Sequence, residues 1–161
     1  MMNDELKPSP KARAKRAGRF ITHHSALRAF SWPVRVYYED TDAAGVVYYA
    51  NYLKFMERAR TEWLRALGFE QTTLMHEHNV VFVVRSLAVE YLRPALFNDL
   101  LEVTVSLNGA RGSVLELAQS VRRGPHILVS GDARIACVNT PSFRPVRIPD
   151  PILKKLAVRQ A

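Results

Sequence analysis

Cysteine is almost missing from these 161 residues. Cys137 stands alone, so no internal disulfide framework can form, and a reducing cytoplasmic setting is expected. Long apolar runs are missing too. None approaches the ~18 residues that a membrane-spanning helix requires, so no membrane insertion is expected. The N-terminal region is basic but lacks the apolar segment of a secretory signal. There is no phosphate loop, no G-x-S-x-G and no dinucleotide fingerprint. The histidines are His23, His24, His76, His78 and His126, and none shows the i, i+4 spacing of a helical metal pair. His76 and His78 flank Glu77 in what reads as a surface loop. No metal site and no resident cofactor are expected. Cys137 alternates with Ile135 along a strand and reads as a small buried apolar residue, not a nucleophile.

What is present suits one domain with a real core: 48% of residues are hydrophobic and 24% charged. The formal net charge of +8 is unevenly placed. Residues 1–28 hold seven Lys or Arg against Asp4 and Glu5, which leaves a net +3 for the rest. That segment, broken by Pro8 and Pro10, is expected to be a solvated, disordered tail ahead of a single domain over residues 29–161. Such a tail can meet nucleic acid, an anionic membrane or an acidic protein. It lacks interleaved aromatics and helical period, so nucleic-acid binding is not expected.

Periodicity then divides the domain. In "SWPVRVYYED", Val34, Val36 and Tyr38 alternate as in a strand, with Pro33 suited to its start or to an edge. "ANYLKFMERARTEWLRALG" has the helical period, with Tyr52, Met56, Ala59, Trp63 and Leu67 on one face. Asn51 or a neighbour can cap its start, and Gly68 suits the position after its last turn. Four strand-like runs follow. These are "VVFVVRSLAVEYLRPA", "DLLEVTVSLNGARG" ending in a turn signal, "SVLELAQSVRRG", and "HILVSGDARIACVNT" with Gly131 as a bulge or close-approach site. "IPDPILKKLAV" closes the chain as a short helix with Asp150 and Pro151 at its start. The layout predicts an α+β fold, an antiparallel sheet with one long helix on its inner face.

The chemistry gathers in "YYEDTDAAGVVYYANY", residues 37–52, between the first strand and the long helix. A loop entering a helix N-terminus lies beside free backbone N–H groups and the positive end of the helix dipole, which can hold a carbonyl oxygen as it becomes an oxyanion. A nearby aspartate can activate water or attack an acyl carbon. Gly45 lets the backbone pass close to a substrate. Those parts are what hydrolysis of an activated acyl compound requires. D-x-D alone serves equally well in Asx-turns and helix caps.

The stretch "YYEDTDAAGVVYYANYLKFMERARTEWL", continued by "VVFVVRSLAVEYLRPALFNDLLEV" and "RGSVLEL", resembles the signature of the hotdog-fold 4-hydroxybenzoyl-CoA thioesterase family. Within it, the likeness is strongest to the short acyl-CoA thioesterases encoded with the bacterial Tol–Pal envelope system. The resemblance covers roughly residues 34–148. It implies a hotdog fold, a sheet wrapped around one long central helix, and hydrolysis of acyl-CoA to a free acid and coenzyme A. It implies Asp42 as general base or nucleophile and the Tyr49 backbone N–H as the oxyanion donor, with Gly45 and Val46 beside the substrate. Tyr49 departs from the pattern "VVYHANY", so an imidazole is lost while the amide is kept. Asp40 is expected to bond loop amides, and Glu57 and Glu62 to pair with neighbouring arginines. Tyr48 and Tyr52 are expected to pack, and Arg85, Arg93 and Arg111 are candidates for the coenzyme A phosphates. The expected partners are an acyl-CoA substrate, a second or further copy of the chain as homodimer or homotetramer, and an acyl carrier protein. A non-catalytic carrier-protein or envelope-complex adaptor with the same fold is the alternative.

Overall fold

The computed structural model describes residues 29–160, so the expected basic tail over residues 1–28 lies outside the described residues. The chain runs β1 (Phe30–Arg35), α1 (Asn51–Ala66), α2 (Gln71–Glu77), β2 (Val80–Tyr91), β3 (Leu100–Arg111), β4 (Val114–Arg123), β5 (His126–Asn139) and α3 (Asp150–Gln160). The strands make one antiparallel sheet in the order β1-β3-β4-β5-β2, with β1 and β2 at its edges. Pro33 sits on edge strand β1, as its missing N–H requires.

The core lies between α1 and the sheet. Leu101, Val103 and Val105 of β3 alternate inward and are essentially inaccessible, as are Phe55, Met56 and Ala59 of α1. Taking the Phe55 and Met56 side chains fully out of water contributes about 2–3 kcal/mol each. The helix lies mainly across β1, β3 and β4. It ends as its sequence suggests: Gly68 N–H donates to Arg65 O at 2.8 Å and Phe69 N–H to Leu64 O at 3.1 Å, the paired bonds of a Schellman cap. This is the expected α+β arrangement, the sheet-around-helix layout of the hotdog fold. No helix among the described residues is long and apolar enough to cross a membrane.

Local expectations are corrected or narrowed in four places. The segment with His76 is not a loop: it forms α2, two turns held by buried Leu74, too short to display a period. The turn after β3 does not use Asn108-Gly109. Asn108 is instead an extra residue at a register shift, and the strands stay paired to Arg111 and Val114, turning at Gly112 with φ +60°. Turning earlier would have sacrificed the ladder through Ala110 and Leu115. Gly131 is no bulge, since β5 keeps register with both neighbours there; it marks a close approach. Asn51 does not cap α1 either. Ala50 holds that position without a side-chain bond, and Asn51 turns its side chain inward.

Candidate active site

The loop between β1 and α1 folds back on itself as a tight hairpin. Thr41 and Val47 form an antiparallel bridge, and Asp42 N–H donates to Val46 O at 2.9 Å. Gly45 N–H donates to Asp42 O at 2.9 Å, and Gly45 takes φ +75°, which a side chain would strain. No atom lies within 4 Å of where its Cβ would be, so the turn demands glycine here and packing does not. The second arm is stitched to the loop after β2: Val46 bridges to Leu96, and Val47 N–H donates to Ala95 O at 2.9 Å.

Two aspartates of this hairpin have different surroundings. Asp40 is buried, and its Oδ2 accepts the Tyr37 N–H at 2.8 Å. Its backbone carbonyl accepts twice, from Tyr48 N–H at 2.9 Å and from the buried Asn51 Nδ2 at 2.9 Å. Asp40 thus ties β1's exit, the hairpin's return arm and the first turn of α1 into one knot. Asp42 is exposed, with Oδ1 accepting the Ala44 N–H at 2.8 Å in an Asx-turn. Its Oδ2 has no hydrogen-bond partner among the described residues.

Tyr49 stands where the hairpin becomes helix. Tyr48 O accepts the Asn51 N–H at 2.8 Å, and a trans peptide then turns the Tyr49 N–H the opposite way. That N–H meets no protein acceptor among the described residues, and it sits at the positive end of α1. The next peptide is held as well, because Tyr91 donates its hydroxyl to Tyr49 O at 3.1 Å. Buried Tyr52 accepts the Ala95 N–H on its hydroxyl at 2.8 Å, so Tyr52 packs as expected, whereas exposed Tyr48 packs only its ring against Tyr49, with centroids 4.7 Å apart. The Tyr48 phenol is raised above its usual range, chiefly by its hydrogen bond with the Tyr49 hydroxyl, and the Tyr52 phenol is raised by burial. Neither phenol is a base near neutral pH.

The remaining expected residues divide clearly. Glu62 pairs with Arg65, which also meets Glu70 at 2.6 Å, but Glu57 accepts the Thr61 hydroxyl at 2.8 Å and forms an ion pair with no arginine among the described residues. Arg93 is exposed in the loop after β2, at the hairpin's end of the sheet. Arg85 is exposed at a register shift in β2, and Arg111 lies at the far end of β3 from Leu100, roughly 35 Å along the strand. The structure therefore brings neither to Asp42 within one chain. Cys137 is buried and its thiol is pushed up to about 11, which keeps it protonated and unreactive. Among the described residues no cluster of His, Cys, Asp or Glu could hold a metal. The engagements of Asn51, read only as a cap, and of Tyr91 and Gln119 escaped the sequence reading. Only folding shows that their polar ends meet a distant backbone.

A five-stranded antiparallel sheet laid around one long central helix is the architecture of the hotdog thioesterase class. The family comparison agrees: residues 36–156 match the thioesterase-like superfamily, and the chain belongs to it. Among its relatives, the acyl-CoA thioesterase YbgC of Haemophilus influenzae is 47% identical over 120 residues, spanning 74% of this chain and 88% of that protein. The acyl-CoA thioester hydrolase YbgC of Escherichia coli O6:H1 is 45% identical over 77% of this chain and 92% of its own length. A probable thioesterase from Bartonella henselae superposes with a TM-score of 0.73 at 36% identity, covering 75% of this chain and 99% of that one.

Proposed function

We propose that this protein hydrolyses acyl-CoA thioesters to a free acid and coenzyme A. The observation that carries this reading is the pairing, on one cross-braced hairpin, of the free Asp42 carboxylate oxygen with the unpaired Tyr49 N–H. The thioester carbonyl oxygen accepts from Tyr49 N–H, and the positive end of α1 favours the charge that develops there. Asp42 takes a proton from an attacking water as the water oxygen bonds to the acyl carbon. The tetrahedral oxyanion collapses, the C–S bond breaks, and the proton passes to the departing thiolate. Asp42 can alternatively attack the acyl carbon itself, breaking the C–S bond to form a mixed anhydride and release the coenzyme A thiolate. Water then opens the anhydride to the free acid and Asp42, and the water's proton goes to the thiolate. Either route needs no metal and no imidazole, so tyrosine in place of histidine at position 49 preserves it.

In this reading Gly45 and Val46 border the thioester and Arg93 approaches the coenzyme A phosphates. Arg85 and Arg111 can do so only from a neighbouring subunit. A neighbouring copy is expected on physical grounds. Edge strand β2 is twelve residues long, and its helix-side residues Phe82, Val84, Leu87, Val89 and Tyr91 are only half-buried or exposed. A long apolar edge of this kind calls for a partner strand. The working compartment is the cytoplasm, and acyl groups on a carrier protein are a further substrate form.

Thiol release from a panel of acyl-CoAs tests the proposal. Wild type is expected to turn over at least one of them, and Asp42→Asn to lose about 10²–10⁴-fold in kcat with the fold intact. Full activity in Asp42→Asn would remove that residue from the mechanism. The alternative reading is the non-catalytic adaptor with the same fold. That reading predicts capture of a carrier protein with no turnover of any acyl thioester.

A further inference from the structure

Along α1, Leu53, Glu57, Arg60 and Leu64 recur at i, i+4, i+7 and i+11, a single stripe of the helix, and Tyr49 precedes Leu53 by four residues on the same line. Beside this stripe lies a pocket of about 100 Å³ between α1 and the helix side of β2, β4 and β5. Its walls are largely apolar, from Trp63, Leu64, Phe82, Leu117 and Ile135. Arg60 is set among them. It is half-buried, and burial holds its guanidinium below the usual arginine range. Arg60 Nη1 donates to Gln119 Oε1 at 2.7 Å, and buried Gln119 in turn donates from Nε2 to Met56 O at 3.0 Å. The fork is thus braced by a neutral amide. No carboxylate among the described residues lies within ion-pair distance of it. Glu57, whose charge Arg60 does feel, is exposed at the rim and engaged by the Thr61 hydroxyl. A desolvated guanidinium with open donors lacks the anion that would offset its burial.

We propose that this pocket receives the far end of the acyl chain and that Arg60 selects acyl groups ending in a carboxylate, the monothioesters of dicarboxylic acids. The inference rests on the hydrolase reading for the position of the reacting end. The Gln119 contact at Met56 lies seven residues past Tyr49, roughly 10 Å along the helix axis, a span suited to chains of about six to eight carbons.

Matched substrate pairs test it: adipoyl-CoA against hexanoyl-CoA, and suberoyl-CoA against octanoyl-CoA. Wild type is expected to favour the carboxylate-ended member by about tenfold or more in kcat/KM. Arg60→Met is expected to collapse that ratio through KM, Arg60→Lys to keep part of it, and Glu57→Gln to widen it by removing a like charge. Equal use of both members by wild type, or a ratio that survives Arg60→Met, would overturn the proposal. So would a dimer that dissociates on Arg60→Met while selectivity stays the same, because that assigns Arg60 to a subunit contact. Should Arg60→Met fail to fold, the wild-type ratio and its response to Glu57→Gln decide. Calorimetric binding of adipoyl-CoA and hexanoyl-CoA to Asp42→Asn needs no turnover. Tighter binding of adipoyl-CoA there supports the pocket even if wild type hydrolyses nothing, a result that counts against the hydrolase reading alone. Equal affinities overturn the pocket.

Discussion

Asp40 and Asp42 are separated by one threonine, yet Asp40 is buried and bonded through both its Oδ2 and its backbone carbonyl, while Asp42 is exposed with a single side-chain bond. The difference comes from what lies across the hairpin. Asp40 faces β1's exit and the first turn of α1, whereas Asp42 lies at the tip. Asn51 makes the knot specific, because its Nδ2 is a donor aimed at the Asp40 carbonyl from a buried position. Asn51→Ala is expected to cost about 1–2 kcal/mol in urea unfolding, since Asp40 O keeps its bond from Tyr48. Asn51→Asp should cost more, for it sets a carboxylate oxygen against a carbonyl oxygen out of water. Both variants should lower kcat, because the peptide presenting Tyr49 N–H is referenced to the same turn. A ranking with Asp milder than Ala would contradict the assigned donor.

At the scale of elements, strand β2 and helix α1 both close in on Gly131. A Cβ there would stand 3.2 Å from the Ala88 carbonyl oxygen and 3.4 Å from Met56 Cε. Met56 can adjust its flexible end, but Ala88 belongs to the β2–β5 ladder and cannot move without breaking pairing. Gly131→Ala is therefore expected to destabilise by about 1–3 kcal/mol, measurable by thermal or urea unfolding. An unchanged midpoint would show that β2 yields more readily than a paired strand should. Of the bulge or close approach expected at Gly131, the close approach is what forms, and the register shifts fall at Asn108 of β3, near Arg85 of β2 and at Leu128 of β5. Period and glycine content mark where a strand is irregular only when the partner strand is known.

For the whole molecule, the decisive feature is what α1 leaves uncovered. The helix lies across β1, β3 and β4, and the helix side of β2 stays open to solvent in a single chain, with Val84 49% and Tyr91 46% exposed. Sedimentation should find a homodimer or larger assembly rather than a monomer. Val84→Lys, which places a charge on that open strip, should shift the equilibrium toward monomer and depress activity with it. A fully active monomer would show that one chain completes the site.

The sequence by itself determined the class of fold and singled out the stretch to which the proposed chemistry is assigned. Alternation and helical period are local consequences of one buried face, and the residues 37–52 carry acids, glycine and a helix entry in one uninterrupted run. It could not rank Arg60 above its surface neighbours, foresee α2, or tell that Asn108 extends a strand instead of turning it. Those outcomes depend on which distant groups arrive opposite: Gln119 beneath Arg60, Leu74 into the core, β4 alongside β3. Tertiary structure decided them because the energy of a buried polar group or a ladder bond resides in its partner, and only the fold brings that partner opposite.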